Sequence, residues 1–228
     1  MIHSIRFHGR GGEGVKLASH MVTRAAFVAG STIQDSPLYG AERRGAPVVA
    51  FGRIGDEPIR ARGYIERPDV VVVMDASLLG RPEAAIFDGV DDNTLLLINS
   101  ALTADELKQR HGIHGIVIAL DVSSIALDLL QHHLLSAPVA GMTVRATAAA
   151  DWRALAAAVA SELEDIGVTP PLIERNLQAT RRAFDATPSV GIPRRARAAA
   201  ARRTQRPRSV PGKRRCCARR RAFESTGR

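Results

Sequence analysis

The stretch Ser4–His8, followed at once by Gly9-Arg10-Gly11-Gly12-Glu13-Gly14, decides the fold. In Ser4–His8 the apolar Ile5 and Phe7 alternate with polar residues, which predicts a strand, and the glycines predict a tight loop. Val15–Ala29 then places apolar residues at helical spacing. A strand, a glycine loop and a helix in this order are typical of the start of an α/β domain.

The glycine loop has a composition suited to anion binding. Gly9, Gly11 and Gly14 give the spacing G-x-G-x-x-G, and Asp35 follows at about the distance of the acidic residue in dinucleotide-binding domains. One hypothesis is therefore a stand-alone nucleotide-binding module. A second is a scaffold in which the glycines only form a tight turn. Glu13 disfavours a pyrophosphate at its own position, because a carboxylate repels a second anion.

Later apolar runs extend the α/β pattern. Val70–Met74, Thr94–Asn99 and Gly115–Leu120 predict strands buried on both faces, as in a parallel sheet. Pro47–Ile54 and Ile59–Ile65 predict an antiparallel hairpin around a Gly-Asp-Glu-Pro turn. We therefore expect a Rossmann-like, three-layer α/β domain with a mostly parallel mixed sheet. Helical patterns lie between and after the strands, at Ala104–Arg110, Val122–Leu130, Val139–Ala149, Trp152–Glu164 and Pro170–Asp185.

The net charge of +9 is unevenly distributed. Residues 187–228 contain 14 of the 32 Lys and Arg residues but one of the 23 acidic residues, so residues 1–186 carry a net charge of −4. The basic segment has few large apolar side chains, which predicts a disordered tail after a domain of residues 1–186. The acidic balance of the domain argues against specific nucleic-acid binding.

Several other classes of protein are disfavoured. The sequence has no run of about 18 apolar residues and no signal-peptide pattern at its N-terminus, so we expect a cytoplasmic protein without a membrane span. The adjacent Cys216 and Cys217 are too few for a four-cysteine iron–sulfur cluster. The histidine pairs lack further ligands at metal-site spacing, so no metal site is expected.

Two polar residues lie at the ends of predicted strands, where α/β domains bind ligands. His8 is expected either to contact a ligand or to hydrogen-bond the loop backbone. Asp75 is expected either to face the same site or to cap the following helix. The serines lack a nucleophile-elbow context, and no catalytic residue is predicted in this chain.

Two motifs together resemble a known family. Arg6–Gly14 resembles the N-terminus of the gamma subunits of pyruvate and related 2-oxoacid:ferredoxin oxidoreductases, and Glu42–Val48, with Arg43 and Arg44, resembles their second hallmark. The segments at 68–75, 137–141 and 173–184 are similar to later parts of these subunits. The resemblance covers about residues 2–185. This chain departs from the family pattern at Glu13, where the family usually has Gln.

The resemblance implies a subunit of a larger enzyme that is inactive alone. Such enzymes oxidatively decarboxylate a 2-oxoacid on thiamine diphosphate, transfer the acyl group to coenzyme A and reduce ferredoxin through 4Fe–4S clusters. It implies that alpha, beta and delta-type subunits bind thiamine diphosphate and the clusters. This chain is expected to help bind coenzyme A and complete the assembly. Pyruvate, a branched-chain 2-oxoacid and an aromatic 2-oxoacid are alternative substrates.

The candidate binding residues follow from both motifs. They are Gly9, Arg10, Gly11, Gly12, Glu13 and Gly14 in the loop, with Arg43 and Arg44. Guanidinium groups bind phosphates or carboxylates in a bidentate manner, so Arg43 and Arg44 are expected to contact either coenzyme A or an acidic neighbouring subunit.

Overall fold

The computed structural model describes residues 1–37, 45–132 and 134–193. Within these residues, a six-stranded sheet is flanked by six α-helices. The strands are β1 (Ile2–Arg10), β2 (Thr32–Pro37), β3 (Pro47–Gly55), β4 (Val70–Val73), β5 (Leu95–Asn99) and β6 (Ile116–Leu120). The helices are α1 (Val15–Val28), α2 (Ala104–His111), α3 (Val122–Leu130), α4 (Ser136–Thr147), α5 (Trp152–Asp165) and α6 (Pro170–Ala186).

The sheet is mixed and mostly parallel, as expected. Its strand order is β2-β3-β1-β4-β5-β6. The pairs β1–β4, β4–β5 and β5–β6 are parallel, whereas β3 is antiparallel to both of its neighbours. The β4 residues Val70–Val73 are all fully buried, which confirms that this continuous apolar run belongs to a strand covered on both faces.

Alternation of side chains along the strands divides the core into two layers. Val70 and Val72 pack into the larger cluster, which also contains apolar residues of α1 and α3–α6. Val71 and Val73 point to the other face, where they pack with Leu107 of α2 and residues of two short 3-10 helices, Ala76–Gly80 and Pro82–Ala84. Helices therefore cover both faces, and the predicted three-layer α/β fold is confirmed.

The predicted hairpin is wrong. Only its first arm is a strand, because β3 is paired with β1 on one side and β2 on the other and has no free edge for a further strand. Ile59 and Ile65 are nevertheless buried. The backbone of the second arm hydrogen-bonds instead to two buried arginines: Arg53 donates to the carbonyls of residues 63 and 64, and Arg6 donates to that of Ile65.

The first residues after α6 lie against the domain. Thr187 is buried, and its hydroxyl donates to the Ala183 carbonyl over 2.7 Å. The amides of Val190 and Gly191 both donate to the carbonyl of Ala146 in α4. These contacts extend past residue 186, the predicted end of the domain. The rest of the predicted basic tail, residues 194–228, lies outside the described residues.

Candidate functional site

The glycine loop joins β1 to α1 at the carboxyl edge of the sheet. Gly12 has φ 99° and Gly14 has φ 80°, which are left-handed conformations that side-chain-bearing residues rarely adopt. Gly9 is required for a different reason, because a Cβ there would lie 2.7 Å from Val15 Cγ2 and 3.2 Å from Met74 Cβ. The glycines therefore set both the turn and the close packing of α1 on the sheet, so part of the motif is structural.

Glu13 folds back onto its own loop. Its Oε2 accepts a hydrogen bond from the Arg10 amide over 2.6 Å, and its amide donates to the Arg10 carbonyl over 3.1 Å. Burial raises the pKa of the Glu13 carboxyl, against the opposing effect of the Arg10 amide. One of the loop amides is thus occupied by a carboxylate of the chain itself. Among the residues that the structure describes, no carboxylate hydrogen-bonds to the amide of Gly12 or Gly14, and both amides lie at the N-terminus of α1.

The Arg10 side chain connects the loop to two neighbouring segments of the chain. Its guanidinium pairs with the Asp75 carboxylate and donates to Ser77 Oγ over 2.6 Å and to the Gly45 carbonyl over 3.1 Å. Asp75 also accepts from the Ser77 amide, so it caps the short 3-10 helix as well as binding Arg10. Burial alone would raise the pKa of Asp75, but the hydrogen bonds from Ser77 and Arg10 outweigh it and lower the pKa. Arg10 therefore has protein partners on each side of its guanidinium, which suits a positioning role.

The structure brings the loop to the end of the second motif. The Gly11 amide donates to the Ala46 carbonyl over 2.9 Å, and the Gly45 amide donates to the Gly11 carbonyl over 3.0 Å. This pair of hydrogen bonds fixes the residues that directly follow Arg43 and Arg44 against the glycine loop. Arg43 and Arg44 themselves lie outside the described residues.

Asp35 does not lie beside the loop, which weakens the nucleotide-binding hypothesis. It belongs to β2, which β3 separates from β1. In the register of the sheet, Asp35 of β2 pairs with Gly52 of β3, and Gly52 pairs in turn with Ile5 of β1. Ile5 is four residues before Gly9, about 13 Å along a strand. Asp35 instead contacts α1, with Oδ1 2.5 Å from Ser19 Oγ and Oδ2 2.6 Å from His20 Nε2.

His8 is buried on the face of the sheet opposite α1. Its imidazole lies near the backbone of Ala84, outside the glycine loop, and its Nε2 has no hydrogen-bond partner among the described residues. Burial and the neighbouring Arg6 lower the pKa of His8 to about 3. Its ring is therefore neutral at physiological pH.

Arg6 was missed by the sequence analysis. It is 5% exposed, and its guanidinium donates to the carbonyls of Ile65, Ala85, Ile86 and Asp88. The signal in the sequence was a charged residue between the apolar Ile5 and Phe7 of a predicted strand, since arginine is rarely buried without partners.

No helix among the described residues is long and apolar enough to cross a membrane. No group of three or more His, Cys, Asp or Glu side chains among them is arranged to hold a metal ion.

Comparison with known proteins agrees with these features. The family model described as pyruvate ferredoxin/flavodoxin oxidoreductase matches residues 4–186. Pyruvate synthase subunit PorC of Thermotoga maritima is 38% identical over 181 residues, covering 79% of this chain and 92% of that protein. The common subunit gamma of pyruvate/ketoisovalerate oxidoreductases from Thermococcus litoralis is 35% identical over 184 residues, covering 80% and 96%.

Solved structures show the same fold. The crystal structure of the Thermotoga maritima PorC subunit superposes with a TM-score of 0.68 at 35% identity, covering 81% of this chain and 96% of that one. A 2-oxoglutarate:ferredoxin oxidoreductase from Magnetococcus marinus, solved with 2-oxoglutarate, coenzyme A and succinyl-CoA bound, gives a TM-score of 0.66 at 17% identity. The match covers 86% of this chain and 33% of that longer chain, and at this identity it shows the fold alone.

Proposed function

The chain belongs to the pyruvate ferredoxin/flavodoxin oxidoreductase family as a gamma-type subunit, and from this premise we propose that it completes a thiamine-diphosphate-dependent 2-oxoacid:ferredoxin oxidoreductase. In this proposal alpha, beta and delta-type subunits hold thiamine diphosphate and the 4Fe–4S clusters that pass electrons to ferredoxin. The gamma subunit contributes to assembly and to a shared coenzyme A site.

The observation that carries the coenzyme A proposal is the contact between the two motifs. The hydrogen bonds of Gly11 with Gly45 and Ala46 join the glycine loop to the segment that follows Arg43 and Arg44. Backbone amides at a helix N-terminus favour anions, and arginines bind phosphates by charge-assisted hydrogen bonds. Coenzyme A carries several phosphate groups, so it offers the anion that such a site selects.

Each part of the loop then has a defined task. Gly12 and Gly14 supply amide donors where the α1 dipole adds favourable potential. Arg10, through its hydrogen bonds to Asp75 and Ser77, fixes the end of β1 next to these amides. Bound coenzyme A supplies the thiol that accepts the acyl group. The residues of this chain act on binding and orientation, so changing them is expected to alter the apparent KM for coenzyme A more than that for the 2-oxoacid.

The test uses two glycines that share the same backbone constraint. Gly12 and Gly30 have φ of 99° and 96°, but Gly30 follows α1 at the end remote from the loop. In the assembled enzyme, Gly12→Val is expected to raise the KM for coenzyme A roughly tenfold by removing close backbone approach. Gly30→Val is expected to leave it unchanged. Equal effects of the two substitutions would contradict the proposal, and gel filtration of each complex checks assembly.

A further inference from the structure

The two edge strands of the sheet differ in how they are protected against pairing with another chain. An edge strand presents unpaired N–H and C=O groups, and proteins usually protect such strands with charged residues or proline. The edge strand β2 has this protection, because it contains Asp35 and ends at Pro37. The other edge strand, β6, contains neither a charge nor a proline in Ile116–Leu120. Its outer edge is paired with no strand of the described residues, so β6 is open to pairing with another chain.

The outer edge of β6 is formed by the backbone groups of Val117 and Ala119. On the inner side, the amide of Ile116 and the carbonyl of Leu120 hydrogen-bond to the residues that flank β5. Backbone groups alternate in direction along a strand, so those of Ile118 also face β5. Val117 and Ala119 therefore direct two amides and two carbonyls outward, and these four groups have no backbone partner among the described residues.

These outward groups match those of a second copy of the same strand. When two β6 strands run antiparallel across a two-fold axis at Ile118, Val117 of each copy lies opposite Ala119 of the other. Residues that face each other in this way exchange both of their backbone hydrogen bonds, so all eight outward groups of the two copies are satisfied. A two-fold interface requires such self-complementarity, because the same surface contributes both sides.

The side chains of β6 are complementary in the same register. Ile116 is 40% exposed, and by strand alternation it points to the same face as Ile118 and Leu120, which pack against the larger core cluster. In the antiparallel pair, Ile116 lies opposite Leu120 of the second copy, and Ile118 lies opposite its own equivalent. Apolar and β-branched pairs across strands stabilise a sheet, so this pairing covers an apolar side chain that one chain alone exposes.

The residues that flank β6 favour the antiparallel orientation. The exposed His114 precedes the strand, and Asp121 follows it. Antiparallel pairing brings His114 of one copy near Asp121 of the other, and an imidazole N–H donates readily to a carboxylate. Parallel pairing brings the two Asp121 carboxylates together instead, and like charges on adjacent strands are destabilising.

We propose that β6 pairs with β6 of a second copy of this chain and joins the two six-stranded sheets into one continuous sheet. The outward backbone groups, the exposed Ile116 and the flanking charges each support this partner. The pairing leaves the glycine loop free, because β4 and β5 separate β6 from β1. The inference is therefore independent of the proposed coenzyme A site.

The first test measures the mass of the full chain by sedimentation velocity over a concentration series. The wild type is expected to reach twice the 24.5 kDa of one chain at about 100 µM, because small interfaces associate weakly. Ile116→Lys places a charge on the exposed edge and is expected to leave the chain monomeric. Ile166→Lys is the matched control, since Ile166 is 60% exposed at the end of α5, and it is expected to dimerise like the wild type.

A disulfide tests the register of the two strands. Cys216 and Cys217 are the only cysteines, and both are first replaced by Ser. The two-fold axis brings the Cα atoms of Ile118 in the two copies to about 4.5 Å, a distance that a disulfide spans. Ile118→Cys is therefore expected to form a covalent dimer under oxidising conditions. Val117→Cys is the control, because its two Cα atoms lie about 8 Å apart in this register, too far for a disulfide.

Each remaining outcome contradicts the proposal. A wild type that stays monomeric at every concentration, with no cross-link through Ile118→Cys, shows that β6 does not pair with itself. A dimer that persists in Ile116→Lys uses another surface. If the wild type is monomeric and Ile116→Lys blocks assembly with other subunits, β6 binds a different subunit rather than a second copy.

Discussion

Replacing Glu13 by Gln tests whether the glycine loop holds an anion. Glu13 Oε2 accepts a hydrogen bond from the Arg10 amide, and a glutamine oxygen accepts the same bond, so the loop geometry is expected to persist. The substitution removes one negative charge beside the proposed phosphate position.

The magnitude follows from Coulomb's law. Two unit charges roughly 6 Å apart, in the partly exposed surroundings of Glu13, repel by about 1 kcal/mol. Removing this repulsion is expected to lower the KM for coenzyme A roughly fivefold. Because burial raises the pKa of Glu13, the wild-type carboxyl gains a proton more readily as pH falls. Coenzyme A affinity of the wild type is therefore expected to strengthen toward acidic pH, and Glu13→Gln is expected to remove Glu13's contribution to that dependence.

The assay is steady-state turnover of the assembled enzyme, with the coenzyme A concentration varied at several pH values. The KM for the 2-oxoacid serves as the internal control and is expected to stay constant. If Glu13→Gln assembles normally and leaves both the KM for coenzyme A and its pH dependence unchanged, the loop does not hold a phosphate and the reasoning fails.

Three further predictions concern the rest of the chain. Arg43→Ala or Arg44→Ala is expected to raise the KM for coenzyme A roughly tenfold in the assembled enzyme, whereas assembled variants with an unchanged KM would assign these residues to an interface. The hydrogen bond that His20 donates to Asp35 raises the pKa of His20, so the stabilisation by the protonated ring is present below about pH 6 and is lost as pH rises through the raised pKa. The difference in Tm between wild type and His20→Ala is expected to shrink over the same rise in pH. Truncation after residue 193 is expected to change the unfolding free energy in urea by less than about 0.5 kcal/mol. Truncation after residue 186 is expected to lower the unfolding free energy by about 1–2 kcal/mol, because it removes the contacts made by residues 187–192.

The sequence predicted most of the fold because the signals were local. The continuous apolar run at Val70–Met74 indicated a buried strand, and the structure places β4 there with all four residues fully buried. The helical periods predicted α1, α3, α5 and α6 to within one or two residues. The glycine spacing predicted the loop at Gly9–Gly14, where Gly12 and Gly14 adopt positive φ. Periodicity and glycine conformation depend on neighbouring residues, which a sequence displays directly.

Only the tertiary structure decided which segments meet. β3 pairs between β1 and β2, so the second arm of the predicted hairpin is bound by Arg6 and Arg53 instead of another strand. The same pairing carries Asp35 away from the glycine loop to contact α1.

The site likewise depends on contacts between distant parts of the chain. The end of the second motif meets the glycine loop through hydrogen bonds between Gly11 and residues more than 30 positions later. Arg6 and His8 line a cavity with residues of β3 and two irregular segments. Strand pairing and burial are determined by packing of the whole domain, and local sequence patterns do not specify which partner a strand edge or a buried polar group finds.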